Sequence, residues 1–181
     1  ALSFVGDVDD VDDIHHHLAR LGARGTGVIL KIEHGRAFEA LPRLLLRSLR
    51  RPLTAVMIAR GDLAVEVGFE RLAEIQEEIL WFTEAAHVPV IWATQVLESL
   101  AKTGSPTRSE VTDAAWAARS ECVMLNKGPF IDEAVRFLDD VLSRMSEHGH
   151  KRTPMLRRLA VAESLGPLLD RPIPTPLSAT S

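Results

Sequence analysis

A single cysteine, Cys122, leaves this sequence unable to form an intramolecular disulfide framework, and that usage suits a reducing cytoplasm. No stretch approaches the roughly 18 consecutive apolar residues that a membrane-spanning helix needs. Residues 1–10 offer neither a basic region nor an apolar core nor a cleavage site, so they do not read as a secretory signal. Positive charge is not in excess either. With 21 Lys and Arg against 25 Asp and Glu, the net charge of −4 gives no sequence-wide case for nucleic acid. What is present is ordinary globular composition, 46% hydrophobic and 25% charged over 181 residues, enough for one sizeable core. The expectation is a soluble cytoplasmic α/β protein with no nucleic-acid or membrane partner. The chain opens at Ala1, and its first five residues already read as a buried strand, so further sequence is expected upstream.

Short apolar runs at 1–5, 27–33, 54–60, 88–93 and 122–125 are too short for helices, and most are rich in Val and Ile. Between them the apolar spacing becomes helical. Val8, Val11, Ile14, Leu18 and Leu21 step by three or four, as do Leu72, Ile75, Ile79, Phe82 and Ala86. Ile131, Ala134, Leu138, Val141 and Met145 repeat the pattern. A helix is expected over 41–49 with Pro42 in its first turn, and a weaker one over 110–119. Strands alternating with helices imply parallel strands joined by right-handed crossovers. Five such units fit an open doubly wound sheet or part of an eight-stranded barrel, and periodicity alone does not choose. The β/α texture covers 1–147. Residues 148–181 read as an extension, a helix over 155–169 followed by a tail with three prolines.

In parallel α/β folds, function gathers at the C-terminal ends of strands. Four successive strand ends here are polar: Lys31-Ile32-Glu33, Arg60-Gly61-Asp62, Thr94-Gln95 and Asn126-Lys127-Gly128. Alternation puts Lys31 and Glu33 on one face with Ile32 opposite. Glu33 and Asp62 on adjacent strand ends would make a hard oxygen site with few protein ligands, suited to Mg²⁺ or Mn²⁺. Lys31 would add a point charge for a phosphoryl group or an enolate oxygen. The Ala59-Arg60-Gly61-Asp62 turn would expose backbone N–H groups to a carboxylate or phosphate, with Gly61 permitting close approach. A Lys-x-Glu pair alone is usually a surface salt bridge, and a lone Arg-Gly-Asp says less still. The series is what points to a site.

The run 56–66, VMIARGDLAVE, resembles the metal-binding signature of pyruvate kinases. Ala93-Thr94-Gln95-Val96-Leu97-Glu98-Ser99 and then Pro106-Thr107-Arg108-Ser109-Glu110 are similar to that family's following motifs. Upstream, Leu30-Lys31-Ile32-Glu33 resembles its active-site lysine strand, and Ala1-Leu2-Ser3-Phe4-Val5 the strand before it. The resemblance covers roughly 1–145 and implies a partial (β/α)8 barrel, strands four to eight. It implies conversion of phosphoenolpyruvate and ADP to pyruvate and ATP in glycolysis. Catalysis would fall to Lys31 and to Thr94, which would assist enolate protonation. Glu33 and Asp62 would ligate Mg²⁺ or Mn²⁺. Substrate would be held at Ala59, Arg60, Gly61, Asp62 and Thr94, its carboxylate on the backbone N–H groups of Gly61 and Asp62.

This sequence departs from the family pattern in four ways. Ala64 replaces a usual glycine, a mild change if the backbone there is right-handed. His34 stands where asparagine is common. The family's glycine–glutamate–threonine–alanine segment is replaced by Asn126-Lys127-Gly128-Pro129. Three barrel strands and the lid domain fall outside the sequence, with the residues expected to bind phosphate and K⁺, and there is no room for the usual C-terminal regulatory domain. The expected partners are therefore those strands or another copy of the chain in a homo-oligomer, and the isolated chain is expected to lack kinase activity. A metal-dependent lyase or aldolase acting on pyruvate or oxaloacetate, and a non-catalytic metabolite-binding regulator, are the rival readings. His15, His16 and His17 are expected on a solvated helix face, since adjacent helical positions point about 100° apart and cannot converge on one metal.

Overall fold

The computed structural model describes residues 1–50 and 53–146. The order is α1 (Val8–Arg20), β1 (Val28–Ile32), α2 (Gly35–Ser48), β2 (Thr54–Ala59), α3 (Arg60–Val67) and α4 (Phe69–Ala85), followed by β3 (Val90–Val96), α5 (Glu98–Thr103), α6 (Arg108–Ala117), β4 (Cys122–Leu125) and α7 (Ile131–Ser146). The four strands form one parallel sheet in the order β1-β2-β3-β4. The order never reverses, so the described strands contain no switch point of the doubly wound kind. The expected extension over 148–181 lies outside the described residues.

Register explains where the core lies. Ile32, Ile58, Trp92 and Val123 fall in one row, and Leu30, Val56 and Val90 in another. All but Val123 are fully or almost fully buried, beneath helices that pack on the strands. The intervening row, Lys31, Met57, Ile91 and Cys122, belongs to the opposite face, because successive side chains alternate. Its members are half-buried or exposed, as are Ile29 and Ala55. Among the described residues, then, the sheet has one covered face and one open face. This apolar, partly open surface is the main physical oddity of the fold.

Several sequence expectations need correction. Residues 1–5 do not form a strand. Only Leu2 bridges to Leu30 in parallel, donating to Ile29 O at 2.7 Å and accepting from Lys31 N–H at 3.1 Å. The left-handed backbone at Phe4 (φ 56°) then ends the pairing. Pro42 sits in the interior of α2 rather than in its first turn, because the helix begins seven residues earlier at Gly35. His34 is the reason for the early start: its Nδ1 accepts from Ala37 N–H at 3.1 Å and caps the helix, a job asparagine also performs. His16 and His17 are exposed, but His15 is buried. It follows Val11 by four positions and so continues the apolar stripe that α1 turns toward α2.

The loop from β4 to α7 is fastened to α5. Phe130 N–H donates to Ala101 O at 3.0 Å, and a Cβ built at Gly128 would lie 2.1 Å from that same carbonyl oxygen. Backbone cannot yield there as a side-chain tip would. Gly128→Ala is therefore expected to destabilise the fold by about 1–3 kcal/mol through forced movement of this loop. Urea denaturation of the two proteins checks this, and equal midpoints would refute it.

Candidate functional site

The C-terminal end of β1 carries an ion pair. Lys31 Nζ lies 2.5 Å from Glu33 Oε1 and donates to Ser3 Oγ at 2.9 Å. Phe4 N–H donates to Glu33 Oε2 at 2.5 Å. Glu33 is 3% exposed and has a donor on each oxygen, while Lys31 remains 25% exposed. The N-terminal segment thus closes over the carboxylate and leaves the ammonium facing the open side of the sheet.

At the neighbouring strand end, the expected turn over 59–62 is the start of a helix. Ala59 is the N-cap of α3 and provides no side-chain cap. The first-turn N–H groups of Arg60, Gly61 and Asp62 have no intrahelical acceptor, and helix polarity favours negative charge beside them. Gly61 N–H donates to Thr94 Oγ1 at 2.9 Å, which ties the ends of β2 and β3 together. A Cβ at Gly61 would stand 3.8 Å from that hydroxyl, an ordinary contact, so the protein's own packing does not require glycine. The small residue instead keeps open the space between the helix start and Thr94. Ala64 is buried inside α3, where right-handed backbone accepts alanine without strain.

Asp62 is exposed in the first turn of α3. Register places Ile32 opposite Ile58, so Glu33 and Asp62 follow adjacent strand ends. Among the described residues no cluster of three or more His, Cys, Asp or Glu has the arrangement of a metal site. Glu33 and Asp62 are carboxylates, the donor type that suits a hard, largely hydrated cation, but both Glu33 oxygens already accept from Lys31 and Phe4 while Asp62 is exposed.

Arg60, expected to hold substrate, turns its side chain into the protein instead. Its Nε donates to Ala93 O at 2.8 Å and its Nη2 to Thr94 O at 2.5 Å, while Nη1 pairs with Asp113 on α6. The guanidinium lies 4.9 Å from the Trp92 ring centroid, and Trp92 Nε1 donates to the same Asp113 oxygen at 3.3 Å. The backbone that Arg60 grips is strained. Thr94 (φ 66°), Gln95 (φ 57°) and Leu97 (φ 48°) are all left-handed, each at a cost on the order of 1–3 kcal/mol. An open cavity of about 420 Å³ over this junction is lined by Arg60, Gly61, Thr94, Gln95, Asp113 and Phe69, among others. Trp92 and Asp113 were missed as site residues. Nothing in a strand tryptophan or a mid-helix aspartate signals such a role without the fold.

Thr107 and Glu110, in the proline–threonine–arginine motif, form a capping box for α6. The Thr-x-x-Glu spacing is a sequence signal for this. Glu110 Oε1 also accepts from Ser99 N–H at 2.6 Å and so joins α6 to α5. Burial pushes the Glu110 carboxyl up, but the N–H groups of Ser99 and Thr107 more than offset it and hold the carboxyl below the usual glutamate range. A carboxyl depressed in the folded state adds stability above its unfolded pKa and loses it as pH falls through the folded value. Glu110→Gln is accordingly expected to lower stability at neutral pH and to flatten its decline on acidification. Urea midpoints measured from pH 7 to about pH 3 test this, and parallel pH profiles would contradict it.

Beyond β4, Asn126 Nδ2 donates to Glu98 Oε1 at 3.2 Å, and Lys102 Nζ reaches that oxygen at 2.6 Å. Lys127 is exposed.

Residues 1–133 match the family described as pyruvate kinase, barrel domain. The chain belongs to that family. It is 41% identical over 128 residues to a pyruvate kinase of Dictyostelium discoideum, covering 70% of this chain and 24% of the relative. Plastidial pyruvate kinase 3, chloroplastic, of Arabidopsis thaliana is 34% identical over 172 residues, 92% of this chain and 29% of the relative. A pyruvate kinase of Mycobacterium tuberculosis is 33% identical over 161 residues, 86% of this chain and 33% of the relative. The chain thus spans about a quarter to a third of the length of these relatives. Lys31, Glu33, Asp62 and Thr94 all lie within the stretch matched to the pyruvate kinase barrel family.

Proposed function

We propose that the chain is the phosphoenolpyruvate-handling arc of a pyruvate kinase, β1 to β4 standing as strands five to eight of a (β/α)8 barrel with the Leu2 bridge in place of strand four, over residues 1–147, followed by a separate extension over 148–181. The reaction transfers the phosphoryl group of phosphoenolpyruvate to ADP and returns pyruvate and ATP, as in glycolysis in a cytoplasmic setting. The observation that carries this reading is the gathering, at one edge of a parallel sheet, of the Lys31–Glu33 pair and the Gly61–Thr94 hydrogen bond.

Glu33 and Asp62 would hold Mg²⁺ or Mn²⁺, with K⁺ bound through residues outside this chain. The divalent ion, when bound, offsets negative charge on the phosphoryl and enolate oxygens. The residues of this chain do the rest. The α3 N-terminus, with Arg60 buried behind it, receives the substrate carboxylate on the N–H groups of Asp62 and of Gly61, the latter shared with Thr94 Oγ1, beside Ala59. Lys31 places its ammonium against the oxygen that loses the phosphoryl group. As the P–O bond of phosphoenolpyruvate breaks and the new bond to ADP forms, that oxygen becomes an enolate oxygen. The enolate carbon then takes a proton through water held by Thr94. Such chemistry needs positioning and charge neutralisation more than covalent participation by the protein.

The open sheet face would be covered by the remaining barrel strands or by another copy of the chain, and the 181-residue chain by itself should lack kinase activity. The test is a graft of residues 1–133 into the matching segment of the Mycobacterium tuberculosis relative. Pyruvate formation from phosphoenolpyruvate, ADP and Mg²⁺ is expected of the graft and not of the isolated chain. A folded graft with no turnover would refute the assignment, and turnover by the isolated chain would refute the need for a complement.

A further inference from the structure

We propose that Arg60, Trp92 and Asp113 form a positioning unit that holds the left-handed turn at Thr94–Gln95 and thereby aims the Thr94 hydroxyl, with α6 as its anchor. The role assigned to Thr94 rests on the pyruvate kinase reading, whereas the positioning itself does not.

Left-handed backbone at Thr94 and Gln95 persists only if its surroundings over-determine it. The two carbonyls that lead into that turn, Ala93 O and Thr94 O, are both gripped by one guanidinium, at 2.8 and 2.5 Å. A guanidinium is a rigid planar fork, so fixing its plane fixes both carbonyls at once. Its plane is fixed twice. The Trp92 ring lies under it at 4.9 Å, and the Asp113 carboxylate takes the third donor. Asp113 is in turn oriented by Trp92 Nε1 at 3.3 Å. Arg60 is 9% exposed and Trp92 1%, so the fork and the ring under it are shielded from water, while the Asp113 carboxylate is reached from the cavity side.

The consequence falls on the next atom outward. Thr94 Oγ1 accepts from Gly61 N–H at 2.9 Å, and Gly61 is the residue after Arg60. The strand end and the helix start are thus locked reciprocally: Arg60 holds the backbone of Thr94, and Thr94 holds the backbone next to Arg60. None of the three residues of the unit needs to touch a substrate. Arg60 is a positioning residue, not a ligand.

The experiment uses the ¹⁵N-labelled 181-residue chain and reads the Gly61 amide resonance. Thr94→Val, which deletes the acceptor, defines the shift produced by loss of the hydrogen bond. If Thr94→Val leaves that resonance in place, the bond does not exist and the proposal falls. Arg60→Lys keeps the charge but loses the fork, and is expected to move the Gly61 amide in the same direction. A folded Arg60→Lys protein, by circular dichroism and melting, with an unmoved Gly61 resonance overturns the proposal. Should Arg60→Lys fail to fold, Asp113→Asn decides: a smaller shift of the same sign supports it, and none overturns it. In the graft, Arg60→Lys is expected to lower kcat by about ten- to a hundredfold with little change in KM for phosphoenolpyruvate. A parallel rise in KM with unchanged kcat would instead make Arg60 a binding residue and sink the positioning role. A graft inactive even with Arg60 intact speaks against the phosphotransferase reading alone, because the amide shifts judge the positioning unit independently.

Discussion

Lys31→Met, made in the graft, is expected to reduce phosphoryl transfer by about two to three orders of magnitude, the usual cost of removing one pre-placed donor from developing charge. Methionine matches the lysine stem in length and keeps its packing, so only the ammonium is deleted. That ammonium lies at the end of β1 on the open side of the sheet, held by Glu33 Oε1 at 2.5 Å and Ser3 Oγ at 2.9 Å. Two anchors fix its position before any substrate arrives, so little reorganisation remains to be done in the transition state. The substitution also removes a partner from a buried carboxylate. Glu33 keeps the Phe4 N–H, and Lys31 is partly exposed, so water can replace some of the loss. A stability cost of about 1–3 kcal/mol follows from one unpaired acceptor. The two effects separate experimentally. Melting reports the stability loss, Mn²⁺ binding followed by electron spin resonance should survive, and turnover should not. Activity within tenfold of the parent graft would remove Lys31 from the chemistry.

Four of the five expected strand positions were legible from apolar runs, with β4 where the run Cys122–Leu125 put it, while residues 1–5 form only the Leu2 bridge. Local hydrophobicity fixes which residues are buried, and in a parallel sheet that is most of what a strand needs. Strand ends were legible only in part. The tail of β3 reaches Val96 through two left-handed residues, and no propensity marks Thr94 or Gln95 for that backbone. The cause is tertiary: a guanidinium from the next strand end and an aspartate from α6. The helix start at Arg60 was hidden for a similar reason, since Ala59 carries no capping side chain to announce it. His34 is the opposite case. It looked like a loss of the usual asparagine, yet its Nδ1 caps α2 and draws the helix start ahead of Pro42. At the site, sequence alternation put Lys31 and Glu33 on one face, and the structure joins them directly. The partners of Arg60, 33 to 53 residues away along the chain, were beyond any local pattern.

The isolated chain is expected to self-associate through its open sheet face. Ile29, Ala55, Met57, Ile91 and Met124 project from the side opposite the buried rows of the core, and none of them is buried. Lys31 is the charged residue among these strand positions, at the end of the sheet that holds the site. Apolar surface of this kind gains about 25 cal/mol per Å² when removed from water, which favours contact between two such faces. The sheet margins add a second drive. Among the described residues β4 pairs with β3 alone, and β1 gains only the single Leu2 bridge on its other side. Unpaired N–H and C=O groups along a short exposed strand invite another strand. Ile91→Lys with Met124→Lys would place two charges on this face, neither directly opposite Lys31, whose cross-strand neighbour is Met57. Sedimentation of the 181-residue chain is expected to show oligomers, and the double substitution should shift it to monomer while circular dichroism keeps its helical signal. The outer helices do not contribute to this face, so a control such as Asp140→Lys on α7 should leave the oligomer intact. A wild-type chain that sediments as a monomer and melts cooperatively would mean the open face is stable in water, and the need for a covering set of strands would disappear with it.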